Sequence, residues 1–101
     1  MPDLLPFRRF RIADTSMQPA LRPGDRVLVA TWLAPRVGDI VVLRDPEATR
    51  THTVKRVVGV REGACDVRGD NMNVSRDSRH FGLVPRRLVV GRVVFRYGGR
   101  L

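Results

Sequence analysis

One lysine and a few hydroxyls hold most of the acid-base and nucleophilic chemistry this chain can offer. Of its 19 basic residues, 18 are Arg and one, Lys55, is Lys. Arginine stays protonated at any accessible pH, whereas a desolvated lysine can give up its proton and act as a base. Lys55 falls in Thr51-His52-Thr53-Val54-Lys55-Arg56-Val57-Val58-Gly59-Val60, where strand alternation puts it on one face with Thr53, Val57 and Gly59. If that face is buried, the lysine pKa drops from about 10.4. Reaching roughly 8 costs about 3.3 kcal/mol, which a domain with about 5–15 kcal/mol of stability sustains. The alternative is a surface lysine on a strand edge.

Ser16 stands between the segment Phe10 to Ala13 and a turn that Pro19 helps set. A side chain at such a junction projects from the sheet, and the free N–H groups of the next turn point at whatever binds there. That geometry supplies a nucleophile and half an oxyanion hole. It equally describes an N-cap serine, the reading that local sequence alone favours. Paired with a neutral lysine, it would be the Ser-Lys form of nucleophilic catalysis. The other two serines are Ser75 and Ser78, and none of the three sits in a Gly-x-Ser-x-Gly elbow. Cys65 with His52 is a weaker nucleophile pair, since free cysteines mostly fill cores. With neither Cys-x-x-Cys nor His-x-x-x-His spacing, no metal or other cofactor is expected.

The elements that must position these groups are short strands. Turn signals recur at Arg22-Pro23-Gly24-Asp25, Val37-Gly38-Asp39, Asp45-Pro46, Glu62-Gly63, Arg68-Gly69-Asp70-Asn71 and Gly98-Gly99. Between them the β-branched runs predict strands over Phe7 to Ala13, Arg26 to Thr31, Ile40 to Arg44, Thr51 to Val60, Cys65 to Arg68, Leu88 to Val90 and Arg92 to Tyr97. The best helix candidate is a single turn from Met17 to Leu21. The chain reads as one all-β domain over 1–101, a small barrel or folded sheets with at most one or two short helical turns. Gly69, Asp70 and Asn71 read as turn chemistry that shapes the chain near the site.

Composition narrows the setting. The net charge is +9 over 101 residues, and residues 51–101 carry +7 of it. Such a surface steers nucleic acid, anionic lipid or acidic proteins toward it. Six aromatic residues and Arg spread along the strands make nucleic acid the weaker partner, though a basic nucleic-acid-binding β-barrel remains the alternative from outside the enzymes. A lone Cys65 excludes an intramolecular disulfide and fits a reducing compartment. No stretch approaches the roughly 18–20 apolar residues of a membrane span. Met1 to Arg9 does not read as a signal peptide. A cytoplasmic location is expected, with room for peripheral membrane contact.

Several blocks resemble the ordered boxes of the type I signal peptidases. They are Ser16-Met17-Gln18-Pro19-Ala20-Leu21-Arg22-Pro23-Gly24-Asp25, Gly38-Asp39-Ile40-Val41-Val42, Val54-Lys55-Arg56-Val57-Val58-Gly59, and Gly69-Asp70-Asn71 followed by Ser75-Arg76-Asp77-Ser78-Arg79 and Phe81-Gly82-Leu83-Val84. The resemblance implies a β-rich serine-lysine protease with Ser16 as nucleophile and Lys55 as general base. It also implies that Ser75 hydrogen-bonds and orients the lysine, while Asp77 and Arg79 brace the site through an ion pair. An extended protein substrate would pair with the strands before Ser16 and Lys55, against Ile12, Ala13, Asp14, Met17, Thr53 and Val54, with small residues at the cut. Shortness and the ending Gly91-Arg92-Val93-Val94-Phe95-Arg96-Tyr97 resemble most the nickel-type superoxide dismutase maturation proteases, which remove an N-terminal propeptide from a precursor. The second expectation is a signal peptidase working on preproteins at a membrane surface.

One residue departs from the pattern. Two positions before the nucleophile, where the resemblance implies Ser, Thr or Gly, this chain has Asp14. A carboxylate aimed at a developing oxyanion opposes its charge, so Asp14 must turn away, pair with an Arg or be protonated. The oxyanion would then rest mainly on the Ser16 backbone N–H.

Overall fold

The computed structural model describes residues 7–98, so the reading of the N-terminal segment falls largely outside the described residues. Among the described residues are seven strands: β1 (Phe7–Arg11), β2 (Arg26–Ala30), β3 (Ile40–Asp45), β4 (Ala48–Arg61), β5 (Ala64–Arg68), β6 (Val84–Pro85) and β7 (Val89–Tyr97). They form one antiparallel sheet in the order β1-β2-β7-β3-β4-β5-β6. A four-residue helix, α1 (Ser78–Phe81), and a 3-10 turn (Arg86–Leu88) complete the fold. The mainly β expectation holds. The runs read as Leu88 to Val90 and Arg92 to Tyr97 are one strand. The stretch Met17 to Leu21 is a turn closed by Leu21 N–H donating to the Met17 carbonyl at 2.9 Å.

Alternation along β3 explains how so thin a chain has a core. Val41 and Leu43 belong to one buried cluster, with Val57, Cys65, Val67, Val84 and Val89. Val42, pointing the other way, belongs to a second, with Ile12, Met17, Leu21, Val27 and Val29. Both faces of the central strand are thus covered, as its unbroken apolar run Ile40-Val41-Val42-Leu43 requires. Register shifts at Leu28/Val29, Val42/Leu43, Arg44/Asp45 and Val57/Gly59 bend the strands. Cys65 is free and buried, and burial pushes its thiol pKa up, as suits a core residue rather than a nucleophile.

Two turns match the chemistry of their residues. Glu62 and Gly63 both have positive φ, 49° and 80°, the geometry of a two-residue hairpin, and they join β4 to β5. Gly91 lies where β7 passes β2, and a Cβ there would sit 2.4 Å from the Ala30 carbonyl oxygen and 2.9 Å from Thr31 Cα. All of the nearest atoms are backbone, so no flexible group can move aside. Gly91→Ala is therefore expected to destabilise the domain by about 1–3 kcal/mol, read as a lower urea midpoint with unchanged slope.

Candidate active site

The sheet register brings the lysine inside. Lys55 on β4 stands opposite Val41 on β3, two residues from the buried Val57, and is itself 3% exposed. An antiparallel pair places facing side chains on the same side of the sheet, so Lys55 shares its face with the valine-rich cluster. Burial lowers its pKa, while Asp14, Asp77 and Asp45 pull it upward and Arg76 downward. Burial prevails. The surface-lysine alternative is thereby excluded.

Ser16 is carried to this amine by the turn that follows β1. Ile12 N–H donates to the Asp25 carbonyl and Gly24 N–H to the Ile12 carbonyl, both at 2.8 Å, which pins the segment to the turn before β2. Four residues after Ile12, Ser16 is 4% exposed, and Lys55 Nζ donates to its Oγ at 2.9 Å. Asn71 ties the same turn from the other side. Its backbone N–H donates to the Ser16 carbonyl at 2.9 Å and its Nδ2 to the Thr15 carbonyl at 3.1 Å. Ser16 does not cap a helix, because no helix follows it.

Asp14 does not turn away. Its Oδ1 accepts both the Ser16 backbone N–H, at 3.0 Å, and the Ser16 hydroxyl, at 2.9 Å. The first is an Asx-turn, a local habit of aspartate. The donor expected to serve the oxyanion is thus taken by a carboxylate.

A second buried cluster braces the first. Ser75 Oγ donates to Asp77 Oδ2 at 2.7 Å and accepts the Gly69 N–H at 3.0 Å. The expected Ser75 bond to Lys55 is not among its hydrogen bonds; its one proton goes to the Asp77 carboxylate. The Asp77–Arg79 pair is present and two-pronged: Arg79 Nε lies 2.9 Å from Oδ1 and Arg79 Nη2 lies 2.9 Å from Oδ2. Burial raises the Asp77 pKa, but Arg79, Ser75 and the Gly69 and Arg79 N–H groups outweigh it and hold the carboxyl well below the usual range. Asp77 also caps α1, and His80 Nδ1 accepts the Asp77 N–H at 3.3 Å, so His80 is a capping residue. The Asp-x-x-His spacing ahead of Phe81 was the available signal. Gly69 has no room for a Cβ, which would fall 2.2 Å from Ser75 Oγ and 2.6 Å from the Ser16 carbonyl oxygen. Asp70 is held by Arg56, with Nε to Oδ1 at 2.9 Å and Nη2 to Oδ2 at 2.8 Å. Its N–H points at Met17 Sδ at 3.5 Å.

Ser16 and Lys55 open into a cleft of about 240 Å³, lined also by Asp14, Thr15, Asp45, Thr51, His52, Thr53, Val74 and Arg76. A smaller space of about 60 Å³ beside it is lined by Arg11, Ile12, Ala13, Asp14, Met17, His52, Thr53 and Val54. All six residues expected to touch substrate therefore line one depression. His52, Asp45 and Arg76 were not expected there. His52 packs against the Phe10 ring, and burial followed by the charges of Arg8 and Arg44 lowers its pKa. Arg76 pairs with Asp45 and Glu47 and so straps the 71–77 loop to the β3–β4 turn. Only tertiary contact joins these residues, which are 31 and 29 positions apart.

Asp77→Ala should cost about 3 kcal/mol, since it strands Arg79, Ser75 and the Gly69 N–H. A depressed folded-state pKa means this contribution is full above the unfolded value of about 3.9 and fades as pH falls through the lower folded value. The difference in urea midpoint between wild type and variant is thus expected to hold from pH 7 to about 4 and to close only below that.

Comparison with known proteins agrees with this geometry. The sequence matches the family described as "Signal peptidase, peptidase S26" over residues 3–62 and 60–98. It is 38% identical to the mitochondrial ATP-independent inner membrane protease subunit 1b of Arabidopsis thaliana, over 80% of this chain and 64% of that protein. It is 34% identical to the mitochondrial inner membrane protease subunit 2 of Schizosaccharomyces pombe, over 82% of this chain and 60% of that protein. To the probable signal peptidase I-1 of Synechocystis it is 26% identical, over 85% of this chain and 68% of that protein. The chain thus spans under two thirds of the first two relatives. With a buried serine-lysine pair in place and the family match running through nearly every element, the chain belongs to the signal peptidase family, peptidase S26.

Proposed function

We propose that this chain is the catalytic domain of a serine endopeptidase of the type I signal peptidase kind, which removes an N-terminal segment from a protein precursor. The observation that carries the reading is the buried Lys55 Nζ, 2.9 Å from Ser16 Oγ. Neutral Lys55 takes the Oγ proton as Oγ bonds to the scissile carbonyl carbon. The tetrahedral species then collapses, the C–N bond breaks, and Lys55 returns its proton to the leaving amine. Lys55 next draws a proton from water as the water oxygen adds to the ester carbon, and returns that proton to Oγ as the C–Oγ bond breaks, which frees Ser16.

The substrate has a strand edge to join. β4 pairs with β3 from Ala48 to Arg56 but with β5 only from Arg56 onward, so its other edge over 49–55 has no strand partner among the described residues. An extended peptide laid along that edge, facing residues 12–14, is a case of strand addition. The 60 Å³ depression beside Ser16 leaves room for a small side chain at the cut.

The names of the relatives above, two inner membrane protease subunits and a probable signal peptidase, favour preproteins met at a membrane surface. Removal of a propeptide from a nickel-type superoxide dismutase precursor is the narrower proposal. Among the described residues no helix is long and apolar enough to cross a membrane.

Purified protein is expected to cut a preprotein with Ala at its junction once, seen by intact mass. Ser16→Ala and Lys55→Ala should each lower kcat/KM by at least about 1,000-fold. Full activity in either variant would rule the mechanism out. Because the base must be neutral, kcat/KM should rise with pH through the lowered pKa of Lys55, a limb that begins below 10.5. The superoxide dismutase precursor, assayed alongside, decides the narrower proposal: no cut there, with the preprotein cut, removes it.

A further inference from the structure

The hydrogen bonds around Ser16 fix where its proton lies. A carboxylate has no proton to give, so in the contact between Asp14 Oδ1 and Ser16 Oγ, at 2.9 Å, the serine is the donor. Oγ has one hydrogen, and with that hydrogen directed at Asp14, Oγ meets Lys55 Nζ at 2.9 Å as an acceptor. In this arrangement Lys55 cannot act as a base toward Ser16. The same carboxylate oxygen takes the Ser16 backbone N–H at 3.0 Å, the donor best placed for a developing oxyanion. Its negative charge also favours the protonated form of Lys55.

Three effects from one side chain act in the same direction, and each is relieved by one movement. Asp14 is exposed, whereas Ser16 and Lys55 are buried, so water can take over the carboxylate when it rotates off Ser16. Asp14 also lines both the larger cleft and the small depression, where an extended peptide would pass.

We propose that Asp14 is a positioning residue that holds Ser16 in a resting hydrogen-bond state, plugging its N–H and turning its proton away from Lys55 until the substrate carbonyl displaces the carboxylate. This rests on the protease reading above. The incoming carbonyl oxygen replaces Asp14 on the Ser16 N–H, and the freed hydroxyl proton turns to Lys55. The protein is thus slow on short peptides, which bind too weakly to displace the carboxylate, and faster on a full precursor that binds along the β4 edge.

The test compares wild type with Asp14→Ala and Asp14→Asn. Asn keeps the Asx-turn acceptor and removes only the charge, which guards against a variant that fails to fold. On a short fluorogenic peptide with Ala at the cut, Asp14→Ala should raise kcat/KM about tenfold, the loss of one charge-assisted hydrogen bond screened by water. Asp14→Asn should gain less, and the gain on full-length preprotein should be smaller than on the peptide. Independently of cleavage, the Lys55 side chain followed by NMR should titrate at lower pH in both variants, and the Ser16 amide should exchange faster in Asp14→Ala. Equal or lower kcat/KM in Asp14→Ala, in a protein that cuts, overturns the proposal and makes Asp14 a catalytic or merely structural group. If no variant cuts any substrate, the protease reading has failed. The Lys55 titration and Ser16 exchange then decide the resting state by themselves, and unchanged values overturn it.

Discussion

An amine has been taken out of water and given a hydroxyl to face, and much of this small domain is arranged around that. Lys55 sits on a strand between valines, opposite Val41 and near Val57, where a charged group is costly. The cost is bounded by three carboxylates within electrostatic reach, Asp14, Asp77 and Asp45, which keep the protonated form accessible. The balance suits a base that must accept a proton and return it. A surface lysine would hold its proton too tightly, and one buried without acids nearby would rarely take it back.

Holding the serine against that amine requires two loops from distant parts of the chain. The turn after β1 brings Ser16, and the 69–77 segment locks it from behind through Asn71, with Gly69 so close to Ser16 and Ser75 that no side chain fits. The Asp77–Arg79 pair then fixes the locking segment, and through Ser75 and the Gly69 N–H it reaches the floor of the site. Ser75 thus belongs to this anchor, its hydroxyl bonded to Asp77 and to the Gly69 N–H. A buried carboxylate with several donors is a rigid anchor because removing any one partner exposes an unpaired polar group.

Asp14 couples these two parts to the solvent. It is the exposed end of a chain of contacts running through Ser16 to Lys55, and its carboxylate holds the N–H that the proposed reaction would offer to a carbonyl oxygen. Geometry that places nucleophile and base within hydrogen-bond distance does not by itself specify the direction of the hydrogen between them. That direction is set by the strongest acceptor nearby, here an aspartate two residues before the serine.

The residue types with catalytic potential were legible in the sequence because they are scarce: one lysine among 19 basic residues, and a serine at a strand-to-turn junction. Most strands were legible too, since β-branched runs between Gly, Pro and Asp turns have a local cause. Local pattern was silent about β6, two residues long, and marked α1 only by the Asp77 and His80 spacing of its cap. It placed Ser75 by resemblance beside the lysine, whereas the fold draws its hydroxyl to Asp77. Nor could it find His52, Asp45 and Arg76 in the cleft, since the Arg76 strap joins residues about 30 positions apart. Sequence by itself determined which groups could react and which segments would extend. Tertiary structure alone decided what each buried polar group bonds to, because a hydrogen bond reaches about 3 Å and its partners are chosen by which loops the sheet brings together.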